Sequence, residues 1–248
     1  MTFRPAIDPA SPELRDLLAP GGVLRAGINL SNFLLVTSRT PEGLPAGVSP
    51  DMARAIADHL GVELRLVPYE SPGILADGAA RDEWDIGLIG AEPQRAEVVS
   101  FTPSYVEIEA TYLVPEGSPL TSVEQVDAAG NRIASTARTA YGLWLDRNIA
   151  HATLVHASTM DEALSAFIDQ KLDALSGLRP RLTSDQAKFP GSVLLPGRFM
   201  AVQQAIGTPK AKAAAVAYLT SFVEAAKSSG FVAELIAKHG AHGLSVAA

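Results

Sequence analysis

The sequence predicts an α/β protein made of two lobes that two extended crossings join. Strand-like and helix-like patterns alternate along both halves of the chain, as expected for largely parallel sheets. Extended segments at 99–120 and near 197–204 interrupt this alternation. Because two crossings return the chain to its starting lobe, we expect lobe 1 to comprise 1–107 and 200–248, and lobe 2 to comprise 108–199. Ligands of such sheets bind outside the carboxyl ends of strands, so we expect a ligand cleft between the lobes, with the crossings as hinges.

The first half contains the pattern strand, helix, strand, helix, strand. We expect strands over 23–30, 62–69 and 84–89, and helices over 49–60 and about 73–82. Ser11 is expected to cap a short helix before the first strand, and Ser49 to cap the next helix, with Pro50 in its first turn. Gly61 is expected to end that second helix.

The second half repeats this order and closes with two helices. We expect strands over 132–135, 152–158 and 172–178, helices over 139–149 and 160–170, extended segments within 192–207, and terminal helices over 210–228 and 231–239.

Composition excludes several classes of function. The chain has 248 residues, of which 47% are hydrophobic and 19% charged, and its net charge is −7. This acidic balance argues against nucleic acid as a partner. The lack of cysteine excludes disulfides and thiolate metal sites, and no apolar run is long enough for membrane insertion.

Motifs for cofactors and metals are also missing from the sequence. There is no Walker loop, no GxGxxG and no GxSxG. The histidine pairs His151/His156 and His239/His242 lack the spacing of a helical zinc site, so we expect surface histidines. We therefore expect no cofactor, no metal and no catalytic set.

One arginine follows the third strand in the stretch DIGLIGAEPQRAEVVSFTPSY. The strand stops at a turn, and the five residues 86–90 before that turn offer no charge to pair with Arg95. A guanidinium presents two parallel donors that match the two oxygens of a carboxylate. Arg95 is therefore a candidate carboxylate-binding residue, and the alternative is a surface arginine in the first turn of a helix.

The segments GVSPDMARAIADHLGVELRLVPY, WDIGLIGAEPQRAEVVSFTPSY and YLVPEGSPLTSVEQVD resemble family 3 bacterial solute-binding proteins, which serve polar amino acid ABC transporters. The most specific piece is Arg95 with Phe101, Thr102 and Tyr105. The resemblance implies the two-lobed type II periplasmic-binding-protein fold, closing by a hinge on a small ligand. It further implies a monomer that has an ABC permease as its partner and in which Arg95 holds the carboxylate of the ligand.

Two positions depart from the family pattern. Glu92 stands where a hydroxyl or carbonyl would meet the ligand, and Leu178 stands where the family's second aspartate, after Asp173, binds the ammonium of the ligand. Either another acid takes the ammonium, with Glu92, Glu107 and Glu109 as candidates, or the ligand is not an α-amino acid. The alternative for Glu107 and Glu109 is the solvated face of a hinge strand.

Further candidate ligand-binding residues follow from their positions at strand and helix ends. They are Asn29, Asn32 and Phe33 after the first strand, Ala91 beside Glu92, Arg138, Thr139 and Tyr141 at the start of a lobe-2 helix, and Gln203 on the return crossing. The resemblance implies an aromatic lid near Phe33 and a Gly-Thr pair, of which Thr139 matches and Arg138 replaces the glycine. With Arg95 opposite Arg138, we expect a ligand with more than one acidic group. Gln203 could instead have a purely structural role in the hinge.

Two functions remain open from the sequence. The first is a receptor that binds a small carboxylated solute, an amino acid or a related organic acid, for an uptake system. The second is a lyase on the same fold, similar to cyclohexadienyl dehydratase, with a glutamate as acid. We expect a cytoplasmic protein if Met1 is the native start, because no signal peptide precedes the first helix, and a periplasmic one if a signal has been removed.

Overall fold

The computed structural model describes residue 3 and residues 5–248, which divide into two compact units. Unit 1 comprises Met1–Glu107 and Gln203–Ala248, and unit 2 comprises Ile108–Val202. None of the helices in the described residues is long and apolar enough to cross a membrane.

The helices and strands follow one another along the chain in three stretches. The first segment of unit 1 contains α1 (Pro12–Leu18), β1 (Val23–Asn29), β2 (Ser38–Arg39), β3 (Pro45–Ala46), α2 (Val48–Leu60), β4 (Glu63–Tyr69), α3 (Pro72–Gly78), β5 (Ile86–Gly90) and the start of β6 (Val99–Val114). Unit 2 contains the end of β6, then β7 (Arg132–Thr136), α4 (Ala140–Asn148), β8 (Thr153–Ala157), α5 (Met160–Asp169), β9 (Ala174–Leu178), α6 (Arg179–Gln186) and β10 (Val193–Leu194). The return to unit 1 follows β11 (Met200–Pro209) and leads to α7 (Val216–Ser228), α8 (Phe231–Lys238) and β12 (Leu244–Val246).

The part of the unit 1 sheet that carries the predicted ligand-binding residues is parallel. Strand β1 lies between β4 and β5 and pairs with both in parallel. Strand β11 pairs antiparallel with β5, and β6 and β12 follow. All five residues of β5 are buried, which explains why its sequence, IGLIG, has no polar side chain. The carboxyl ends of β1, β4 and β5 therefore share one edge.

The hydrophobic core of unit 1 lies between this sheet and helices α2 and α7. Helix α2 contributes Met52 and Ile56, and α7 contributes Leu219 and Phe222, all fully buried. Each such side chain stabilises the fold by roughly 1.5–3 kcal/mol through burial. This core holds the sheet rigid beneath its carboxyl edge.

Unit 2 has a similar arrangement with the strand order β10, β6, β9, β7, β8. Strand β7 pairs in parallel with β8 and β9, and β6 pairs antiparallel with β9. Its core includes Leu113, Phe167 and Leu175 on one side, and Tyr112 and Leu145 on the other. The carboxyl ends of β7, β8 and β9 therefore share an edge of their own.

The two units repeat one strand junction. In unit 1, Asp85 accepts a hydrogen bond from the backbone N–H of Arg25 at 2.8 Å and donates its own N–H to the carbonyl of Arg25. In unit 2, Asp173 accepts from the N–H of Arg132 at 2.7 Å and donates back in the same way. Asp173 thus fastens the amino end of β9 to β7, away from the edge where the strands end.

The structure corrects the expected cap of the second helix. Helix α2 starts at Val48 after Gly47, and Ser49 lies inside it, where its hydroxyl is hydrogen-bonded to the hydroxyl of Tyr105 at 2.9 Å. Gly47 has a φ of 151°, and a Cβ there would lie 2.3 Å from the carbonyl oxygen of Leu35. A glycine therefore precedes the helix, because the chain passes too close to Leu35 there for a side chain.

Of the other expected helix boundaries, some are confirmed and some are wrong. The caps at Ser11 and Gly61 are confirmed. The helix expected to reach residue 82 ends at Gly78, and the stretch 210–215 forms a 3-10 helix before α7.

One of the histidines that we expected at the surface, His239, is not a surface residue, since its ring is largely buried and hydrogen-bonded to Asp51 at 2.7 Å.

Candidate functional site

Arg95 lies directly beyond the carboxyl end of β5 in unit 1. Its side chain is buried, with 4% of the residue exposed, and its Nη1 donates to the carbonyl of Gly90, the last residue of β5, at 2.7 Å. Its backbone N–H and that of Ala96 both donate to the carbonyl of Glu92, which closes the turn. The alternative of a surface arginine is therefore wrong.

Glu92 and Ala91 form the start of the same turn. Glu92 is buried like Arg95, so an acid and a base share the interior of this turn. The N–H of Ala91 donates to the carbonyl of Gln203 on β11 at 2.8 Å, which anchors the turn to the neighbouring strand. A buried guanidinium needs polar partners, and the carbonyl of Gly90 supplies one to Arg95.

Gln203 connects β11 to β6 through its side chain. Its Oε1 accepts from the hydroxyl of Ser104 at 2.6 Å, and its Nε2 donates to the carboxylate of Glu107 at 3.0 Å. Gln203 and Glu107 therefore belong to one polar chain, which supports the structural interpretation of Gln203.

The loop after β1 carries the other predicted residues of unit 1. The Oδ1 of Asn29 accepts from the N–H and the hydroxyl of Ser31, and the Oδ1 of Asn32 accepts from the N–H of Leu34 at 3.3 Å. Both amides thus shape the turn. Phe33 is 38% exposed and lies in the loop that follows β1.

In unit 2 the predicted residues lie between β7 and α4. Thr139 is the N-cap of α4, since its hydroxyl accepts from the N–H of Gly142 at 3.1 Å and donates to the carbonyl of Thr136 at 2.7 Å. Arg138 has a φ of +59°, a left-handed conformation that glycine adopts freely and other residues rarely do. This conformation explains why the resemblance implies a glycine here, and holding an arginine in it costs roughly 1–3 kcal/mol.

Tyr141 follows in the first turn of α4. The residue is buried, and this burial raises the pKa of its hydroxyl, while hydrogen bonds to Thr136 and Thr139 act in the opposite direction. The hydroxyl of Tyr141 is therefore neutral near neutral pH and able to form hydrogen bonds.

Leu178 ends β9 and is buried, so no carboxylate occupies that position. The glutamates that could have replaced it have partners of their own. Glu109 accepts from the Nε of Arg179 at 2.8 Å and lies 3.6 Å from the guanidinium of Arg198. Arg179 was not among the predicted residues, although its place directly after a strand end was a usable signal.

Chemically, the residues of unit 1 can bind a carboxylate. Arg95 brings a guanidinium to an edge where strand ends converge, and charged groups in a buried setting bind their partners strongly. Among the residues that the structure describes, no group of three histidine, aspartate or glutamate side chains is placed to hold a metal ion.

Comparison with known proteins identifies the family. Residues 25–242 match the model of the bacterial extracellular solute-binding proteins, family 3. The chain belongs to this family. The match spans most of both units, and it confirms the resemblance drawn from the motif around Arg95.

Individual relatives agree in fold. Cyclohexadienyl dehydratase of Pseudomonas aeruginosa is 31% identical over 119 residues, which is 46% of this chain and only 44% of that enzyme. A variant of ArgBP from T. maritima has a TM-score of 0.72 and 21% identity, over 92% of this chain and 100% of that one. The ancestral amino acid-binding protein AncCDT-1, a precursor of cyclohexadienyl dehydratase, has a TM-score of 0.71 and 19% identity, over 92% and 99%. These similarities confirm the type II periplasmic-binding-protein fold.

Proposed function

We propose that this solute-binding protein is the receptor of an ABC-type uptake system for a small carboxylated solute. The observation that carries the proposal is the buried guanidinium of Arg95 at the carboxyl end of β5. A buried cation that faces the end of a parallel strand is suited to a forked pair with a ligand carboxylate.

The other residues of unit 1 support this role in different ways. The exposed ring of Phe33 is available to cover the apolar part of a solute. Asn29, Asn32, Ala91 and Gln203 shape the turns on either side of Arg95 through hydrogen bonds within unit 1.

In unit 2, the proposed ligand-binding residues are Arg138, Thr139 and Tyr141. The start of α4 presents backbone N–H groups and the positive end of the helix dipole, which favour an anionic group. The left-handed backbone of Arg138 places a cation in the same turn.

The family model that the chain matches is that of bacterial extracellular solute-binding proteins, and the structural relatives include the amino acid-binding protein AncCDT-1. On this basis we propose that the chain acts outside the cytoplasmic membrane, with an amino acid or related organic acid as its solute and an ABC permease as its partner.

The test is native mass spectrometry of freshly purified protein, followed by calorimetry with the acid that is found. A co-purified carboxylic acid of low mass that rebinds at one site is the expected result. Failure of a broad panel of amino acids and organic acids to bind or to raise the melting temperature would contradict the proposal.

A lyase is the second candidate, favoured by the match to cyclohexadienyl dehydratase and by the buried Glu92 near Arg95. It predicts release of CO₂ when the protein is mixed with a cyclohexadienyl carboxylic acid. Binding of that acid without turnover would leave the receptor as the function.

A further inference from the structure

Two arginines follow the carboxyl ends of neighbouring strands in the unit 2 sheet. Strand β7 ends at Thr136, with Arg138 two residues beyond it, and β9 ends at Leu178, with Arg179 directly after it. These strands pair in parallel, with Ala134 opposite Leu175. Since the carboxyl ends of parallel strands meet at one edge, both residues follow the edge at which this class of sheet binds ligands.

Arg179 is held by groups from its own unit. Its Nε donates to the Oε2 of Glu109 at 2.8 Å, and its Nη2 donates to the carbonyl of Gly197. The side chains of Arg179 and Glu109 are 29% and 45% exposed. Glu109 also lies 3.6 Å from the guanidinium of Arg198, so two cations share this carboxylate.

The exposure of Glu109 distinguishes this pair from the other arginine pair on α6. Arg181 donates to Asp185 at 2.8 Å, and that carboxylate is only 2% exposed. Removing a partner from a buried pair strands an unsolvated charge, whereas a half-exposed pair contributes little and its carboxylate can return to water. Glu109 can therefore give up Arg179 to a ligand, and Asp185 cannot give up Arg181.

We propose that Arg179 is a specificity-determining residue that binds a second acidic group of the solute, with Glu109 as the anion that holds it in the absence of that group. The proposal rests on the proposed function and adds to it a substrate class, the di-acids. Leu178 beside it is consistent with a solute that is recognised through its acidic groups, because an apolar side chain offers no partner to an ammonium group.

The experiment is calorimetry with two matched pairs of probes, L-glutamate against L-glutamine and 2-oxoglutarate against its ω-amide. Within each pair the two probes differ only in whether the second group is charged. The variants are Arg179→Gln, Glu109→Gln and, as a control, Arg132→Gln. Arg132 lies at the amino end of β7, on the opposite edge, where its guanidinium donates to backbone carbonyls.

The unsubstituted protein should bind the acid of at least one pair about ten-fold or more tightly than its amide, as a charge-assisted hydrogen bond predicts. Arg179→Gln should bring acid and amide within about three-fold of each other, and Arg132→Gln should leave the ratio unchanged. Glu109→Gln should tighten acid binding by about two- to five-fold, because it removes a competing anion of modest strength.

An acid-to-amide ratio that survives Arg179→Gln, or a protein that binds only mono-acids, would overturn the inference. A purely structural role for the pair predicts that Glu109→Gln lowers the melting temperature without tightening acid binding. If Arg95→Ala abolishes binding while Arg179→Gln leaves the ratio intact, only this inference fails. If no probe binds and Arg95→Ala changes nothing in a wider carboxylate panel, the proposed function fails with it.

Discussion

Replacement of Arg95 by alanine is expected to abolish carboxylate binding while unit 1 stays folded. The change removes a buried guanidinium together with its 2.7 Å hydrogen bond to the carbonyl of Gly90. Truncating one partner of a buried charge pair weakens binding by about 2–5 kcal/mol, which corresponds to roughly 30-fold to several thousand-fold in the dissociation constant.

The same change also has a smaller effect on stability. The carbonyl of Gly90 loses a charged donor, which costs about 1–3 kcal/mol of unfolding free energy. For a chain of 248 residues this lowers the melting temperature by about 2–4 °C per kcal/mol. The loss of affinity should therefore exceed the loss of stability, and the two can be measured separately by calorimetry and by urea denaturation.

Two further variants make the result interpretable. Arg95→Lys keeps the charge but not the forked geometry, so its affinity should fall between those of the wild type and Arg95→Ala. Arg65→Ala, on the exposed face of β4 in the same unit, should change neither affinity nor stability. If Arg95→Ala lowered the melting temperature but bound the ligand with unchanged affinity, Arg95 would be a structural residue.

Three other perturbations test the fold and the start of α4. Gly47→Ala should lower the unfolding free energy by about 1–3 kcal/mol or more in urea titrations, because it introduces backbone strain and a 2.3 Å contact. The loss should be larger than for Gly43→Ala, whose Cβ would meet nothing within 4 Å. Equal losses would contradict the role of the close approach. Burial raises the pKa of Asp85, but hydrogen bonds from its cationic partners outweigh this and keep it below its ordinary 3.8. Its contribution is therefore present above pH 4 and lost as the pH falls further, so Asp85→Asn should flatten the stability curve there, and an unchanged curve would refute the assignment. Thr139→Val and Thr159→Val each remove a helix cap worth about 1 kcal/mol, but only the former should also weaken ligand binding, by calorimetry.

The alternation of strands and helices was predictable because buried strands and amphipathic helices have strong periodic patterns. Strand β5 is the clearest case, since its five buried residues contain no polar side chain. Helix ends were less predictable, because tertiary contacts decide them. Serine is a common helix cap, yet the hydroxyl of Ser49 is hydrogen-bonded to Tyr105, which is 56 positions away in sequence.

The position of Arg95 beyond the carboxyl end of β5 was predictable, because it follows from the pattern of the buried strand before it. The role of a charged residue was not predictable where it depends on a partner that is distant in sequence. Glu109 has the sequence pattern of a free acid on an extended segment, but in the structure Arg179 binds it. Asp173 matches the first aspartate of a family motif, and its carboxylate binds the backbone of Arg132 at the other end of the sheet.

The ion pairs of this protein differ in what surrounds their carboxylates, and this difference separates structure from recognition. Asp85 is fully buried and receives hydrogen bonds from Arg25 and Lys212, so its loss would leave two cations without their common anion. Such a carboxylate can only be structural, because a solute that drew its cations away would leave a buried charge without partners, at a large cost in free energy. Glu109 binds its arginine at nearly the same distance but is half exposed, so the exchange of its partner for a ligand carboxylate is nearly balanced. The proposed exchange at Arg179 therefore requires the exposure that Glu109 has, and the structural role of Asp85 follows from the burial that Glu109 lacks.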